Sequence, residues 1–279
     1  MGKRVEYLQK STNDVYKLKK EISLQKIVND KTSGSSEILV KLNDYLKNSL
    51  ANSLQIKASI KQAKEKLSHF EAVNDYLNSI EKIIKSGNPD KLKIFINNFD
   101  KQLQSKYEML YQNAKPLLKN LNTILTLSNS KTLFEVFKLW KKDNKKLKII
   151  ICESRPKLEG RNFAEALLKE KIKVEIIYDF MISLYLPKVN AVITGADIIL
   201  KNGNTINKTG STTAAILCRH FKKPFYILAA KDKFSKNKIF HLKQENRNEV
   251  WEVKRKNLFV SNIYFEEIPA KLITEIITD

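Results

Sequence analysis

The spacing of apolar residues changes character near the middle of this chain, so one repeating architecture cannot serve both halves. Before the change, Ile60, Ala63, Leu67, Phe70, Val73, Leu77, Ile80 and Ile84 recur every three or four residues, the spacing of one helix face. The Ser-Gly-Asn-Pro-Asp stretch from Ser86 to Asp90 interrupts it, with Asp90 placed to cap a following helix whose face carries Phe95, Phe99, Leu103 and Leu110. The segments Val15 to Val28 and Ile38 to Leu54 read the same way, and residues 1–118 are expected to form an N-terminal helical bundle. From about Leu121 the apolar residues gather instead into compact β-prone runs: Thr123 to Leu127, Leu147 to Cys152, Lys173 to Tyr178, Ala191 to Thr194 and Phe225 to Ala229. Helical stretches fall between them, at Phe134 to Trp140, Asn162 to Lys169, Phe180 to Leu186 and Thr212 to Phe221. That alternation is the signature of a doubly wound, mainly parallel sheet, so the chain is read as α/β, with its sheet in residues 119–279.

With 279 residues, 42% of them hydrophobic, the chain can bury a substantial core, which excludes disordered and disulfide-stapled classes. Its formal charge of +21 favours anionic partners, whether nucleic acid, an acidic protein surface or a phosphorylated metabolite. A Lys-rich proteome would produce the same excess. Only Cys152 and Cys218 are present, and no charged segment leads into an apolar secretory stretch, so a reduced, cytoplasmic protein is expected. No apolar run approaches the ~20 residues that a membrane-spanning helix needs. His69, His220 and His241 are scattered without metal-ligand spacing, and no metal site is expected.

In a doubly wound sheet, ligands bind outside the carboxyl ends of the strands, so the residues after each strand carry the functional signal. Glu153-Ser154-Arg155-Pro156 follows the Leu147 to Cys152 strand; there Arg155 either offers its planar fork to a phosphate or carboxylate, or pairs with Glu153 to hold the loop. Gly195-Ala196-Asp197 follows the Ala191 to Thr194 strand, and its small residues leave room for a carboxylate, as a turn former or as a functional acid. Asn202-Gly203-Asn204 marks a hairpin between Ile198 to Leu200 and Thr205-Ile206. Its return arm delivers Asn207-Lys208-Thr209-Gly210-Ser211-Thr212 into a helix start, where a cation, an amide and free helix N–H groups could cradle an anion. The spacing is not that of a Walker loop, and no cofactor is expected. Cys152 and Cys218 read as buried thiols that behave as small hydrophobes.

Taken in order, Glu153-Ser154-Arg155-Pro156 with Gly160, Gly195-Ala196-Asp197, Asn202-Gly203, Asn207-Lys208-Thr209-Gly210-Ser211, and Lys223-Pro224-Phe225 with Lys233-Phe234 resemble one family. It comprises the alpha, beta and delta subunits of translation initiation factor 2B together with the ribose-1,5-bisphosphate and methylthioribose-1-phosphate isomerases. The motif-bearing resemblance runs from about Asn122 to Asp279. It implies a Rossmann-like C-terminal domain that dimerises, or assembles further, and that holds a sugar-phosphate pocket.

The isomerases use a Cys thiol and an Asp carboxylate at the opened sugar. Asp197 matches the Asp, Asn207 and Lys208 match the pocket's Asn and Lys, and Lys233 joins them. The segment Leu127-Ser128-Asn129-Ser130 puts Ser128 where the thiol should stand, and a hydroxyl is a far weaker acid with no activating partner evident. The isomerases' early Arg-Gly-Ala phosphate loop is matched only by Thr32-Ser33-Gly34-Ser35-Ser36, in which Gly34 is kept and the Arg is lost. Both departures point to the non-catalytic branch: a regulatory subunit without catalytic residues that binds initiation factor 2, through its alpha subunit. In that case Arg155, Asp197, Asn207, Lys208, Ser128, Lys233 and Gly34 would bind a sugar phosphate or nucleotide. The alternative is an aldose–ketose isomerase using Asp197 with a displaced thiol, Cys152 being the nearest substitute.

Overall fold

The computed structural model describes residues 23–30, 33–68 and 70–279. His69, Thr32 and the start of the expected Val15 to Val28 helix lie outside the described residues. Among the described residues the helical half holds five helices: α1 (Leu24–Val28), α2 (Ser35–Asn48), α3 (Ser53–Leu67), α4 (Glu71–Lys85) and α5 (Pro89–Leu118). Their apolar faces meet in one core around Ile38, Leu42, Leu46, Ile60, Leu77 and Ile96.

Three details of the helical half depart from expectation. The Ile38 to Leu54 segment is not one helix: α2 ends at Asn48, and Leu54 belongs to α3, which Asn52 caps. The face from Ile60 to Ile84 belongs to two helices, α3 and α4, because the chain leaves α3 after Leu67 and re-enters helix at Glu71. Leu67, Phe70 and Val73 keep three-residue steps across the junction and all pack on the same core, so periodicity alone cannot reveal the break. The cap of α5 is Asn88 rather than Asp90. The Asn88 side chain accepts the Lys91 amide at 2.9 Å, Pro89 takes the first helical position, and Asp90 sits in the first turn.

At 30 residues, α5 serves both halves of the molecule. Its early residue Ile96 packs in the helical core, whereas Leu110, Tyr111, Ala114 and Leu118 pack against the sheet. The division into 1–118 and 119–279 is therefore proposed as one of chain topology, not of separate packing.

The second half is the doubly wound α/β unit. Strands β1 (Thr123–Leu127), β2 (Lys148–Cys152), β3 (Lys173–Ile177), β4 (Ala191–Thr194), β7 (Phe225–Leu228) and β9 (Glu275–Ile277) form one sheet in the order β3-β2-β1-β4-β7-β9, and every pairing is parallel. Successive strand residues point to opposite faces. Ile124, Ile149 and Ile151 pack with α6 (Lys131–Asp143), α7 (Glu159–Lys169) and the end of α5; Leu125 and Ile150 pack on the other face. That other face is covered by α8 (Ile182–Tyr185), which 3-10 turns at Asp179–Met181 and Leu186–Lys188 extend over the whole expected Phe180 to Leu186 stretch, and by α9 (Ser211–His220).

Beside the main sheet, β5 (Ile198–Ile199), β6 (Thr205–Lys208) and β8 (Phe265–Ile268) form a small antiparallel sheet. The expected hairpin is its first pair, with Ile198 opposite Ile206 and Gly203 in the turn at a φ of 83°. Among the described residues no helix is long and apolar enough to cross a membrane, and no group of three or more His, Cys, Asp or Glu could hold a metal ion.

Candidate functional site

The sheet order reverses between β1 and β4, which are paired neighbours, with β2 and β3 on one side and β7 and β9 on the other. A crevice opens outside the carboxyl ends of such a pair, and here it is lined by Ser128 after β1 and Asp197 after β4. Strand β6 adds Asn207 and Lys208, the turn after β7 adds Lys233, and the first turn of α2 adds Gly34 and Ser35. Six of the seven residues singled out as ligand-binding thus line one cavity, drawn from both halves of the chain.

The seventh, Arg155, does not line it. Its side chain is exposed and donates to the Val250 carbonyl at 3.4 Å. The cause is Asp179, whose two carboxylate oxygens accept the Ser154 and Arg155 amides at 2.8 Å each and turn the loop outward. Nor does Arg155 pair with Glu153; Arg161 does, at 2.7 Å. The same loop fixes Ser128, which takes a φ of 64° and donates its amide to the Ser154 hydroxyl at 2.7 Å.

The chain supplies its own anions at two places where a ligand anion was expected. Lys208, 3% exposed, donates to Glu159 at 2.6 Å and lies 4.6 Å from the centroid of the Tyr264 ring. Glu159, in the first turn of α7, is itself buried, and its second oxygen has no partner. At the start of α9 the Gly210 and Thr212 amides both donate to Glu266 at 2.8 Å, so the expected anion cradle of free helix amides is filled by a side chain. Asn207 is held by its bond to Ser211 at 3.1 Å.

Asp197 lines the pocket with two further carboxylates, Glu159 and Glu37. Desolvation raises its pKa above the ordinary Asp value, and Lys233 and Lys208 pull the other way without cancelling the effect. Lys233, also buried, donates to the Ser35 hydroxyl in the first turn of α2, joining the sheet half to the helical half. Ser33, on the same wall, is tied to Asp30 at 2.8 Å and to Lys41 at 2.7 Å. The room left by Gly195 is taken by Ser130, whose Oγ would lie 2.6 Å from any Cβ added there.

No cysteine or histidine lines this cavity among the described residues. Cys152 stands opposite Leu127 in register, one strand from Ser128, but is buried beneath the loop. Burial, with a smaller contribution from the Asp179 charge, pushes its thiol up to about 12, and burial holds Cys218 at about 12 as well. Sequence reasoning did not assign a site role to Glu159 or Tyr264. The signal for Glu159 was an acid in the first turn of a helix that follows a strand end; for Tyr264 there was none.

The architecture recurs in solved proteins. 5-Methylthioribose 1-phosphate isomerase from Pyrococcus horikoshii OT3 superposes with a TM-score of 0.78 at 22% identity, covering 91% of this chain and 81% of that one. The tetrameric eIF2B-beta2-delta2 complex from C. thermophilum shares the fold at a TM-score of 0.59 and 16% identity, over 97% of this chain and 92% of that one. Solved members thus include oligomers.

In sequence, a translation initiation factor eIF-2B subunit 2-like protein of Pyrococcus furiosus is 33% identical over 191 residues, 67% of each chain. Ribose 1,5-bisphosphate isomerase of Methanocaldococcus jannaschii is 31% identical over 168 residues, 58% of this chain and 54% of that one. Relatives of both names stand at similar distance. The Initiation factor 2 subunit family (IF-2B) matches residues 9–279, nearly the whole sequence, and the chain belongs to that family.

Proposed function

We propose that the protein is a non-catalytic regulatory subunit of the translation initiation factor 2B type, binding initiation factor 2 through its alpha subunit and keeping its strand-end pocket for a sugar phosphate or nucleotide. The observation that carries this reading is the missing thiol: Ser128 stands at the end of β1, and neither cysteine reaches the cavity. Isomerising an aldose to a ketose moves protons at carbon and needs an acid and a base matched to the task. A Ser hydroxyl serves only with an activating base, and no histidine is at hand among the residues lining the cavity. Ser33, where the isomerase phosphate loop has its Arg, is engaged with Asp30 and Lys41.

One observation favours the second reading, a sugar-phosphate isomerase. The Asp197 carboxyl, raised by desolvation, is suited to exchanging a proton with a substrate. The thiol that the isomerases pair with this carboxyl is absent from the cavity lining among the described residues.

The regulatory reading also has the chain acting as a homodimer. Trp251 and Phe259 are 58% and 93% exposed in the single chain and would find cover there, whereas Tyr264 is already buried within it. Immobilised protein is expected to capture initiation factor 2 and its isolated alpha subunit with a dissociation constant of about 10 μM or tighter, weakening as salt rises. Light scattering of the same sample should give twice the 32.3 kDa chain mass. No capture at roughly 100 μM initiation factor 2 would overturn the partner, and a monomer mass at micromolar concentration would overturn the dimer.

A further inference from the structure

The pocket lies at the carboxyl ends of the strands, and the opposite ends of the same strands carry a different chemistry. Along the main sheet, in the order β3-β2-β1-β4-β7, each strand is entered from a segment with an exposed lysine a few residues before it: Lys171, Lys146, Lys119, Lys188 and Lys222. Because these strands are all parallel, the five entry points fall along one edge. Four inter-strand spacings make that row about 19 Å wide. Lys145, Lys173 and Lys223 add a second cation beside three of its members.

The carboxylates at this end do not neutralise the row. Asp143 is bonded to Lys115 at 2.7 Å, Glu175 to Lys148 at 2.6 Å, and Glu170 faces Lys138 at 3.9 Å. Glu165 lies one turn back on α7, and Glu275 opens the edge strand β9 beyond the row. None of the five lysines forms an ion pair among the described residues; Lys188 lies 5.1 Å over the Tyr185 ring. In the helical half, by contrast, lysines are interleaved with acids, as in Lys64 with Glu81 and Lys47 with Asp100. A Lys-rich proteome would scatter its lysines rather than align them.

Helix ends account for only part of the charge. Helices α5, α6, α7 and α9 end at this edge, and the basic residues of their last turns complement the macrodipoles. The row lies past those turns. Lys171 and Lys222 take left-handed φ values of 57° and 53°, and the amides that follow them, of Ile172 and Lys223, donate back to Leu167 and Cys218. Glycine is favoured at this place in a helix ending, because a side chain is strained there. Two helix ends thus keep a lysine where glycine would be more stable, which points to a use for the charge. The strongly exposed aromatic residues Tyr178, Phe180, Phe234, Trp251 and Phe259 lie after β3 or between β7 and β8, away from this edge. Single strands are held by stacking their bases on such rings, whereas a duplex hides its bases and presents a rigid ladder of phosphates.

We infer that the amino-end edge of the main sheet is a docking surface for double-helical RNA, held by its phosphate backbone without reading its sequence. The choice of RNA over DNA rests on the proposed role in translation initiation; the cationic row is independent of the pocket.

Fluorescence anisotropy of the full chain with a labelled RNA duplex of about 16 base pairs tests it. Binding is expected in the micromolar range at about 50 mM salt, within about twofold for unrelated sequences, with a slope of log affinity against log salt of about −3 or steeper. Lys171→Gly with Lys222→Gly relieves two strained helix ends, so its thermal midpoint should equal or exceed the parent's. The same variant should make the slope shallower by about 2 and weaken binding about fivefold or more. Lys57→Ala with Lys61→Ala removes the same charge from the exposed face of α3 and should leave the slope within about 0.5 of the parent's. Four results would overturn the inference: no binding at about 50 mM salt, equal losses in the two double variants, a single strand or DNA duplex bound more tightly than the RNA duplex, or a glutamate polymer bound as tightly. Each leaves the initiation factor 2 reading, tested by capture, standing.

Discussion

Lys208→Ala is expected to lose about 3 to 5 kcal/mol of unfolding stability, far more than removal of a strand-end surface charge. Lys208 and Glu159 are both almost fully buried and bonded at 2.6 Å, so the truncation leaves a carboxylate inside the protein without its cation. The Glu159 oxygen that already lacks a partner offers no route to compensation. Removing both charges should be much milder: Lys208→Met with Glu159→Met replaces the pair by apolar groups of similar length, which is often neutral. Denaturant unfolding of the single and double variants decides the matter. A single-variant loss under about 1 kcal/mol would show that Glu159 does not depend on Lys208, contrary to the geometry.

Gly160→Ala is the second large effect, expected to cost at least about 3 kcal/mol, the upper end for forced overpacking. A Cβ at this position would lie 1.9 Å from the carbonyl oxygen of Cys152, 2.9 Å from its carbonyl carbon and 3.0 Å from the Glu153 Cα. All three atoms are backbone at the end of β2, so no side chain can rotate away, and either the strand end or the first turn of α7 must move. The first turn holds Glu159, and the moving loop holds Ser154, which fixes Ser128. The variant should therefore lose ligand affinity along with stability. A thermal midpoint within a degree or two of the parent would contradict so close an approach of helix to strand.

Much of the architecture was legible because it is written in local pattern. Strands β1 and β4 have the limits that their apolar runs suggested, and the hairpin turned where Asn202-Gly203 said it would. Strands β8 and β9 went unread. Phe265–Ile268 carries two glutamates and Glu275–Ile277 is three residues long, so neither shows a strand's composition, and both are set by the edges they complete. The membership of the pocket was legible as chemistry at strand ends, since topology brings those ends together. What could not be read were the partnerships inside it. Glu159 and Lys208 are 49 residues apart, and Glu266 reaches the Gly210 amide from 56 residues downstream. No local spacing reports such pairs, and they decide which cations and amides remain for a ligand. Arg155 lies outside the pocket's lining for the same reason: Asp179, 24 residues on, holds its loop.

The central claim is a pocket without turnover, and the most direct measurement is phosphorus NMR of ribose 1,5-bisphosphate and methylthioribose 1-phosphate incubated with stoichiometric protein. With Ser128 in place of a thiol and Cys152 buried, each substrate's resonances are expected to persist through hours of incubation with no ketose product. Conversion at an ordinary enzymatic rate, about 1 per second or faster, would contradict the regulatory account and make Asp197 a catalytic residue.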